Sequence, residues 1–208
     1  MEFKNSNIVQ AWLVLVLCLC FGSALAAVHV VLSPVIETNK INETREKVPG
    51  LVMGEEKAAA LKAQGEALEI ETTPVQVEKS GRSISYSVYE ALLKGKRVGW
   101  VIKSSGQGYA DKVELLVGVN AEADAISGLF ILDQKETPGL GAKVAETGWR
   151  GQFIGKPADK TLVVTKTDAS KPEEVDAVTG ATISSRSVVQ IVNLALADVR
   201  PVLKKKQE

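Results

Sequence analysis

The sequence predicts an α+β domain with a twisted antiparallel sheet and flanking helices, carried behind a single N-terminal transmembrane helix. Three observations lead to this prediction. Residues 8–32 are almost continuously apolar, residues 83–132 contain several runs that alternate with a period of two, and residues 182–203 place apolar side chains at helical spacing. Strands with short connections, followed by helices, are typical of an α+β domain.

The apolar segment at residues 8–32 is long enough to span a membrane. As a helix it would extend about 37 Å, against a hydrocarbon core of about 30 Å. We therefore predict an uncleaved transmembrane helix after a short tail, residues 1–7, and Lys4 favours a cytoplasmic position for that tail. The alternative is a cleaved signal peptide, because Ala24-Leu25-Ala26 resembles a cleavage site, but apolar residues continue beyond that site to Leu32.

Both cysteines, Cys18 and Cys20, and the single histidine, His29, lie in this apolar segment. Two positions apart on a helix, the cysteines face different directions, so we expect packing roles rather than a disulfide or a shared metal site. The remaining sequence has no cysteine or histidine. It therefore excludes a cysteine-ligated iron–sulfur cluster, a haem attached through C-x-x-C-H and a histidine-based hydrolytic triad in that part of the chain.

The overall charge argues against a nucleic-acid partner. The chain has 25 basic and 25 acidic residues, and aromatic residues make up 5% of it. Proteins that bind nucleic acid usually present a basic surface with interleaved aromatic side chains. The lysine cluster within residues 204–208 is expected to be a solvated basic tail.

Residues 33–80 are interpreted as a neck and an exposed helix between the membrane and the globular domain. Ser33 and Pro34 are expected to end the membrane span, and residues 37–50 are polar. Residues 54–70 mix alanine and leucine with glutamate and lysine, which suits an exposed helix interrupted near Gly65.

The globular domain is predicted to cover residues 81–203. Runs with alternating or β-rich composition predict strands at residues 83–89, 97–103, 112–119, 125–132 and 162–166. The main helices are predicted at residues 141–153 and 182–203, and Pro201 is expected to mark the end of the second.

The start of the C-terminal helix has the features of an anion site. Asp176 is followed by Thr179, Gly180, Ala181 and Thr182. A helix start carries unpaired N–H groups and the positive end of the macrodipole, and small residues let a ligand approach the backbone. The alternative is an ordinary helix start capped by Asp176, Thr179 or Thr182.

Asp-Ala-Val-Thr-Gly-Ala-Thr, residues 176–182, resembles the flavinylation motif of the FMN-binding domain family. That domain occurs in the G subunit of Rnf electron-transport complexes and in the C subunit of the related sodium-translocating NADH:quinone reductase, Nqr. Residues 132–143, followed by Trp149 and residues 152–156, resemble the Glu-Thr-Pro-Gly-Leu-Gly segment of the same family. The likeness extends from about residue 106 to the end of the terminal helix.

The resemblance implies that FMN is joined through its phosphate to the hydroxyl of Thr182. Asp176, Thr179, Gly180 and Ala181 then complete the sequence that a flavin transferase recognises, using FAD and Mg²⁺. The resemblance also implies a flavin-carrying domain on the periplasmic or outer face of the cell (inner) membrane.

The segment from Glu136 to Lys143 predicts a local structure of its own. A proline and two glycines within residues 138–141 predict a tight turn. With the resemblance, we expect Glu136, Thr137, Gly141 and Lys143 to contact the flavin. Lys143 would face the N1/O2 edge, where negative charge gathers on reduction, and Thr137 would hydrogen-bond the ring or the phosphate. The alternative is a plain turn in which Glu136 and Lys143 are solvated.

The resemblance implies a membrane-anchored flavoprotein subunit that relays single electrons through FMN. Its partners would be membrane lipid and the other subunits of a complex that couples ferredoxin/NAD electron transfer to Na⁺ or H⁺ translocation. An Nqr-C-like subunit is one alternative, although the shorter chain and the wording of residues 132–139 favour Rnf. A non-redox, membrane-tethered interaction module is another. The sequence lacks a dinucleotide fingerprint and a phosphate loop, so it supports no nucleotide site of those types.

Overall fold

The computed structural model describes residues 7–79 and 81–206, which divide between Glu43 and Thr44 into two compact units. In chain order the longer elements are α1 (Asn7–Met53), α2 (Glu55–Ala63), β1 (Glu69–Lys79), β2 (Arg82–Leu93), β3 (Lys96–Gln107), β4 (Lys112–Asn120) and β5 (Ile126–Asp133). They are followed by the 3₁₀ helix Gly141–Ala145, α3 (Thr147–Arg150), the 3₁₀ helix Gly151–Phe153, β6 (Val163–Thr165), β7 (Glu174–Asp176) and α4 (Thr182–Lys205).

The first unit consists of the N-terminal part of α1. The helix contains a stretch that is long and apolar enough to cross a membrane, and the large apolar side chains of that stretch are exposed. Cys18 and Cys20 are exposed free thiols. Of the predicted tail, residues 1–6 lie outside the described part of the chain.

Helix α1 does not end at Ser33 and Pro34. It continues through the polar residues of the predicted neck to Met53. A proline removes one N–H donor from the helical ladder, but the helix continues past it. Local hydroxyls bond to the backbone at this point, since Ser33 Oγ donates to the His29 carbonyl at 2.7 Å and Thr38 Oγ1 to the Pro34 carbonyl at 2.8 Å.

The second unit is built on a five-stranded antiparallel sheet with the order β1-β2-β3-β4-β5. The four predicted strands from 83 to 132 are confirmed as β2 to β5. Lys94 and Gly95 connect β2 to β3 with φ values of 52° and 77°. Two successive positive φ values are typical of the type I′ turn that matches the twist of antiparallel strands.

The two faces of the sheet bury different parts of the chain, because successive side chains of a strand point to opposite faces. One face, with Trp100 and Ile102, packs against α4 and the segments between β5 and α4. The other face, with Val101 and Leu116, packs against Val48, Leu51 and Val52 at the end of α1.

The unit that contains the sheet begins at Thr44, whereas the sequence placed the domain boundary at residue 80. Strand β1, which lay within the predicted neck, pairs along its whole length with β2. Gly118 permits the close approach of α1, because a Cβ at that position would lie 2.7 Å from the Leu51 carbonyl oxygen. The exposed helix predicted within residues 54–70 is present as α2, which has no buried residue and ends before Gly65.

The helix predicted at residues 141–153 is replaced by three short helical segments. Gly141, Gly148 and Gly151 interrupt this stretch, and glycine is a poor helix former. The C-terminal helix begins at Thr182 as predicted. Pro201 lies inside it, and Lys204 and Lys205 of the predicted basic tail are helical. The predicted strand at residues 162–166 corresponds to β6, which pairs in parallel with β7.

Candidate functional site

The first turn of α4 has no side-chain cap in the described chain. Ala181 occupies the N-cap position, and no side-chain hydrogen bond caps the helix there. Capping by Asp176, Thr179 or Thr182, the alternative interpretation of the sequence, is therefore wrong. The helical ladder begins where Ser185 N–H donates to the Ala181 carbonyl at 3.1 Å. The N–H groups of residues 182–184 precede that bond and point out of the helix end.

Gly180 and Ser185 shape the approach to this helix end. Gly180 has a φ of +79°, a left-handed conformation that glycine adopts without strain. The buried Ser185 hydroxyl accepts the Val178 N–H at 2.9 Å and donates to the Ala181 carbonyl at 3.1 Å. Ala181 N–H itself donates to the Val178 carbonyl at 2.9 Å, so it is not among the groups available to an anion.

Asp176 is directed away from the helix end. Its Oδ1 accepts from Thr165 Oγ1 at 3.1 Å and from the Ala169 N–H at 2.8 Å. Its backbone is fixed from the other side, since its carbonyl accepts from Trp149 Nε1 at 2.7 Å and its N–H donates to Gln152 Oε1 at 2.8 Å. Asp176, Trp149 and Gln152 thus hold the start of the motif in place.

The Glu136 carboxylate joins three segments of the domain. The side chain is buried, with 4% of its surface exposed. Oε1 accepts the N–H groups of Tyr109 and Ala110 at 2.8 and 3.2 Å, and Oε2 accepts the hydroxyl of Ser184 at 2.6 Å. The carboxylate therefore links the loop after β3 and the segment after β5 to the first turn of α4.

Two glycines make room for this carboxylate. A Cβ at Gly141 would lie 2.7 Å from Ser184 Oγ and 2.8 Å from Glu136 Oε2, and a Cβ at Gly108 would lie 2.3 Å from Glu136 Oε1. These separations are shorter than real side chains tolerate. Gly141 thus lies beside Ser184 in the first turn of α4.

The loop after β3 is fixed on its outer side as well. Asp111 Oδ1 accepts the Lys112 N–H at 2.7 Å, and Asp111 Oδ2 pairs with Lys135 Nζ at 3.2 Å. The Lys112 N–H and the Lys135 ammonium lower the pKa of the exposed Asp111 carboxyl below its usual range. The loop is therefore fixed from both sides while the Tyr109 side chain remains largely exposed.

The turn at residues 137–141 adjoins the same helix end. The Thr137 carbonyl accepts the N–H groups of Leu140 and Ala142, each at 3.1 Å. Leu140 lies beside Gly180, since a Cβ on Gly180 would be 3.2 Å from Leu140 Cδ2. The side chains of Thr137 and Lys143 are exposed, whereas Thr182 is half-buried at the first position of the helix.

These residues fit a phosphate-linked flavin. Thr182 provides a hydroxyl beside N–H groups that no side chain caps, and Gly180 leaves the backbone accessible. Apolar surface for a ring system lies nearby, since Leu140 beside Gly180 is 46% exposed. A phosphodiester at the helix end would gain both hydrogen bonds and a favourable field.

Comparison with known proteins identifies this domain. The FMN-binding domain family matches residues 108–197, which include all of these segments. The G subunit of the Na⁺-translocating ferredoxin:NAD⁺ oxidoreductase complex of Acetobacterium woodii is 38% identical over 140 residues, covering 62% of this chain and 67% of that protein. The chain belongs to the Rnf G-subunit family.

Further members of the Rnf G-subunit family match over a shorter region. The G subunit of the proton-translocating ferredoxin:NAD⁺ oxidoreductase complex of Clostridium ljungdahlii is 38% identical over 53% of this chain and 58% of that protein. The G subunit of the ion-translocating oxidoreductase complex of Aliivibrio fischeri is 35% identical over 56% of each chain. The match thus spans a little over half the length of these two relatives.

Two solved structures share the fold. Shewanella oneidensis NqrC superposes with a TM-score of 0.63 at 18% identity, over 82% of this chain and 99% of that one. The C subunit of the Na⁺-translocating NADH-quinone reductase of Parabacteroides distasonis gives 0.62 at 21% identity, over 83% and 96%. The α+β prediction for the domain is therefore confirmed.

The sequence did not indicate the supporting residues of this site. A pair of serines in the first turn of an apolar helix was a usable signal, because hydroxyls buried there need nearby acceptors. The acceptor of the Ser184 hydroxyl is Glu136, which lies 48 residues away in the chain, and no local pattern links the two.

Proposed function

We propose that the chain is a membrane-anchored flavoprotein subunit that relays single electrons through an FMN esterified to Thr182. It would act within an Rnf-type complex that couples ferredoxin/NAD electron transfer to Na⁺ or H⁺ translocation. The observation that carries this proposal is the half-buried Thr182 at an uncapped helix end within an FMN-binding domain. The complexes to which the relatives from Acetobacterium woodii and Clostridium ljungdahlii belong support the type of complex.

Attachment would require a separate flavin transferase with FAD and Mg²⁺. Thr182 Oγ1 would attack the FMN phosphorus of FAD, form the new P–O bond and lose its proton, while the bond between the two phosphates breaks and AMP leaves. The N–H groups of residues 182–184 are placed to stabilise the remaining negative charge of the phosphodiester. The chain itself is the acceptor in this reaction.

When bound, FMN supplies the redox chemistry, since it can accept and release electrons one at a time. The residues of the chain position it. Glu136 and Ser184 fix the first turn of α4, Gly180 keeps the backbone accessible, and Thr137 and Lys143 are exposed on the neighbouring segment. We propose that Lys143 faces the ring edge where negative charge develops, and that Glu136 acts by positioning the helix end.

The N-terminal helix would place this domain at a membrane. The candidate span in α1 and the ion-translocating complexes of the relatives support membrane association. We propose a single pass of the inner membrane, with residues 8–32 in contact with lipid and the flavin domain on the periplasmic or outer face. Neighbouring subunits of the complex would then be the electron donor and acceptor.

Thr182→Ala tests the attachment. The full-length chain and the variant are each produced with a flavin transferase, and their intact masses and visible spectra are compared. The wild-type chain should gain the mass of FMN less one water and remain yellow after denaturation, whereas the variant should do neither. Thr167→Ala, which removes an exposed hydroxyl from the same tryptic fragment, should behave like wild type. A colourless wild-type chain at its unmodified mass would favour the non-redox interaction module.

The complex is tested separately. The chain would be purified from its native membrane under mild detergent and its companion subunits identified by mass spectrometry. Companions that contain iron–sulfur sites for ferredoxin and a nucleotide-binding subunit support an Rnf-type assembly. Companions of a quinone reductase would instead support the Nqr-C-like alternative.

A further inference from the structure

Arg186 lies one helical turn beyond Thr182 and has an unusual position. It is the single charged residue of the sequence between Asp176 and Asp198. The structure places it in the second turn of α4, with an exposed side chain and no acidic residue in the first turn. Within residues 7–79 and 81–206, no hydrogen bond or ion pair joins its guanidinium to another side chain.

This placement is unfavourable in the unmodified protein. The positive end of the macrodipole lies at the first turn of a helix, and the long Arg186 side chain reaches back over that turn, so its charge is unfavourable there unless an anion compensates it. Proteins that break a local rule without a compensating contact usually do so at functional positions. The compensating anion is therefore expected from outside the polypeptide.

The helix geometry directs Arg186 towards Thr182. Residues i and i+4 are neighbours on a helix surface, and side chains tilt towards the N-terminus, so a long side chain covers the turn before its own Cα. Thr182 at i−4 and the exposed Ile183 at i−3 are the residues of that turn on the same face, and Thr182 is the one with a hydroxyl. Guanidinium groups bind phosphate oxygens through two parallel N–H donors.

We propose that the guanidinium of Arg186 pairs with the phosphodiester carried by Thr182 and restrains the bound flavin. This inference rests on the proposed attachment at Thr182. It adds a side-chain ligand for the phosphate to the backbone N–H groups, at a position outside both residues 176–182 and residues 132–143. Arg186 then serves as a binding residue for the phosphate, with no part in the redox step.

A thermodynamic cycle that combines one substitution with the presence or absence of FMN tests the pairing in the full-length chain in detergent. Arg186→Gln is made both in protein that carries FMN and in protein produced without the flavin transferase, and the midpoint of thermal unfolding, Tm, is measured for wild type and variant in both forms. In the flavinylated protein the substitution should lower Tm by about 2 °C, whereas in the unmodified protein it should leave Tm unchanged or raise it. The difference should shrink as salt is raised. Equal shifts in the two forms would overturn the proposal.

Two further variants keep this test decisive. Lys205→Gln removes the same charge from the last turn of the same helix, about 35 Å from Thr182, and should shift Tm equally in both forms. Arg186→Lys retains the charge but loses the paired donors, and should keep part of the difference even if Arg186→Gln accepts FMN poorly. If Arg186→Lys and Arg186→Gln shift Tm by the same amounts in the flavinylated and in the unmodified protein, the pairing is excluded.

A second readout reports on the flavin directly. Steady-state anisotropy of flavin fluorescence should fall in Arg186→Gln, because a phosphate held by fewer ligands leaves the ring freer to rotate. If Arg186→Gln leaves the anisotropy unchanged and also shifts Tm equally in the flavinylated and unmodified proteins, the proposal is refuted. Intact mass separates the two levels, since a wild-type chain without FMN refutes the attachment, while a flavinylated chain with no coupling refutes only the role of Arg186.

Discussion

Replacement of Glu136 tests whether its carboxylate connects the segments around the start of α4. In Glu136→Ala, the hydroxyl of buried Ser184 loses its 2.6 Å acceptor, and the N–H groups of Tyr109 and Ala110 lose theirs at 2.8 and 3.2 Å. Hydrogen bonds to a charged group contribute about 1.5–3 kcal/mol each when one partner is removed. We weight the Ser184 bond most heavily, because it is buried on both sides.

The net effect is smaller than the sum of the three bonds. The amides of Tyr109 and Ala110 belong to an exposed loop, so water replaces part of what they lose. Removing a buried carboxylate also removes the cost of its burial. We therefore expect Glu136→Ala to lower the free energy of unfolding by about 3 kcal/mol, which corresponds to a fall in Tm of about 10 °C for a unit of this size.

Glu136→Gln should be much milder. Its amide oxygen can still accept from the loop, and its NH₂ group can donate to Ser184 Oγ, so we expect a loss of about 1 kcal/mol. Thermal unfolding of the full-length chain in detergent, followed by tryptophan fluorescence, measures both variants. Glu71→Ala, on exposed β1, should change the free energy of unfolding by less than about 0.5 kcal/mol. A Glu136→Ala protein within about 1 kcal/mol of wild type, or a glutamine variant as unstable as the alanine variant, would refute this reasoning.

Other positions give three further predictions. Gly141→Ala should destabilise the protein by about 1–3 kcal/mol, because its Cβ would lie 2.7 Å from Ser184 Oγ, whereas Gly148→Ala has open space and should be neutral or stabilising in the same unfolding assay. If Lys143 faces the reduced ring, Lys143→Ala should lower the FMN reduction potential by about 10 mV without preventing attachment, and an unchanged potential in a redox titration would exclude that role. The Ser170 and Lys171 N–H groups lower the pKa of the Glu174 carboxyl, so its contribution to stability is present above the unfolded pKa of about 4.3 and lost as pH falls through the lower folded pKa. Glu174→Gln should therefore flatten the acid side of the stability curve, and a curve with unchanged slope below pH of about 4 would contradict this.

The central strands could be predicted from the sequence because their alternation reflects burial directly. In β3, Trp100 and Ile102 face α4 and Val101 faces α1, as a period of two requires. Strand β1 escaped prediction because it is an edge strand with mostly exposed side chains and contains Pro74. An edge position tolerates the missing N–H of proline, so Pro74 is compatible with a strand there.

The start of the folded unit was also hidden in the sequence. Val48, Leu51 and Val52 form the buried stripe at the end of α1, with the i, i+3, i+4 spacing of one helix face. The charged residues before them made the segment resemble a polar neck. The local sequence signal for this packing is the set of glycines on the facing strands, such as Gly118, which leave room for the helix against the sheet.

The candidate site also has a part that could be predicted from the sequence and a part that could not. The Thr179–Thr182 motif is local, so the sequence alone predicted the helix start, and the resemblance to the FMN-binding domain family supplied Thr182 as the candidate acceptor. The contacts that support it are long-range, including Ser184 with Glu136 and the Asp176 backbone with Trp149 and Gln152. Sequence spacing carries no information about such pairs unless the fold that brings them together is already known.

The tryptic peptide that contains Thr182 tests the central claim most directly. Cleavage after Lys166 and Arg186, with the Lys171–Pro172 bond left intact, yields residues 167–186. From cells that contain an active flavin transferase, tandem mass spectrometry should find this peptide heavier by FMN less one water, with the added mass on Thr182. The unmodified peptide from such cells, or the added mass on a different hydroxyl, would contradict the account.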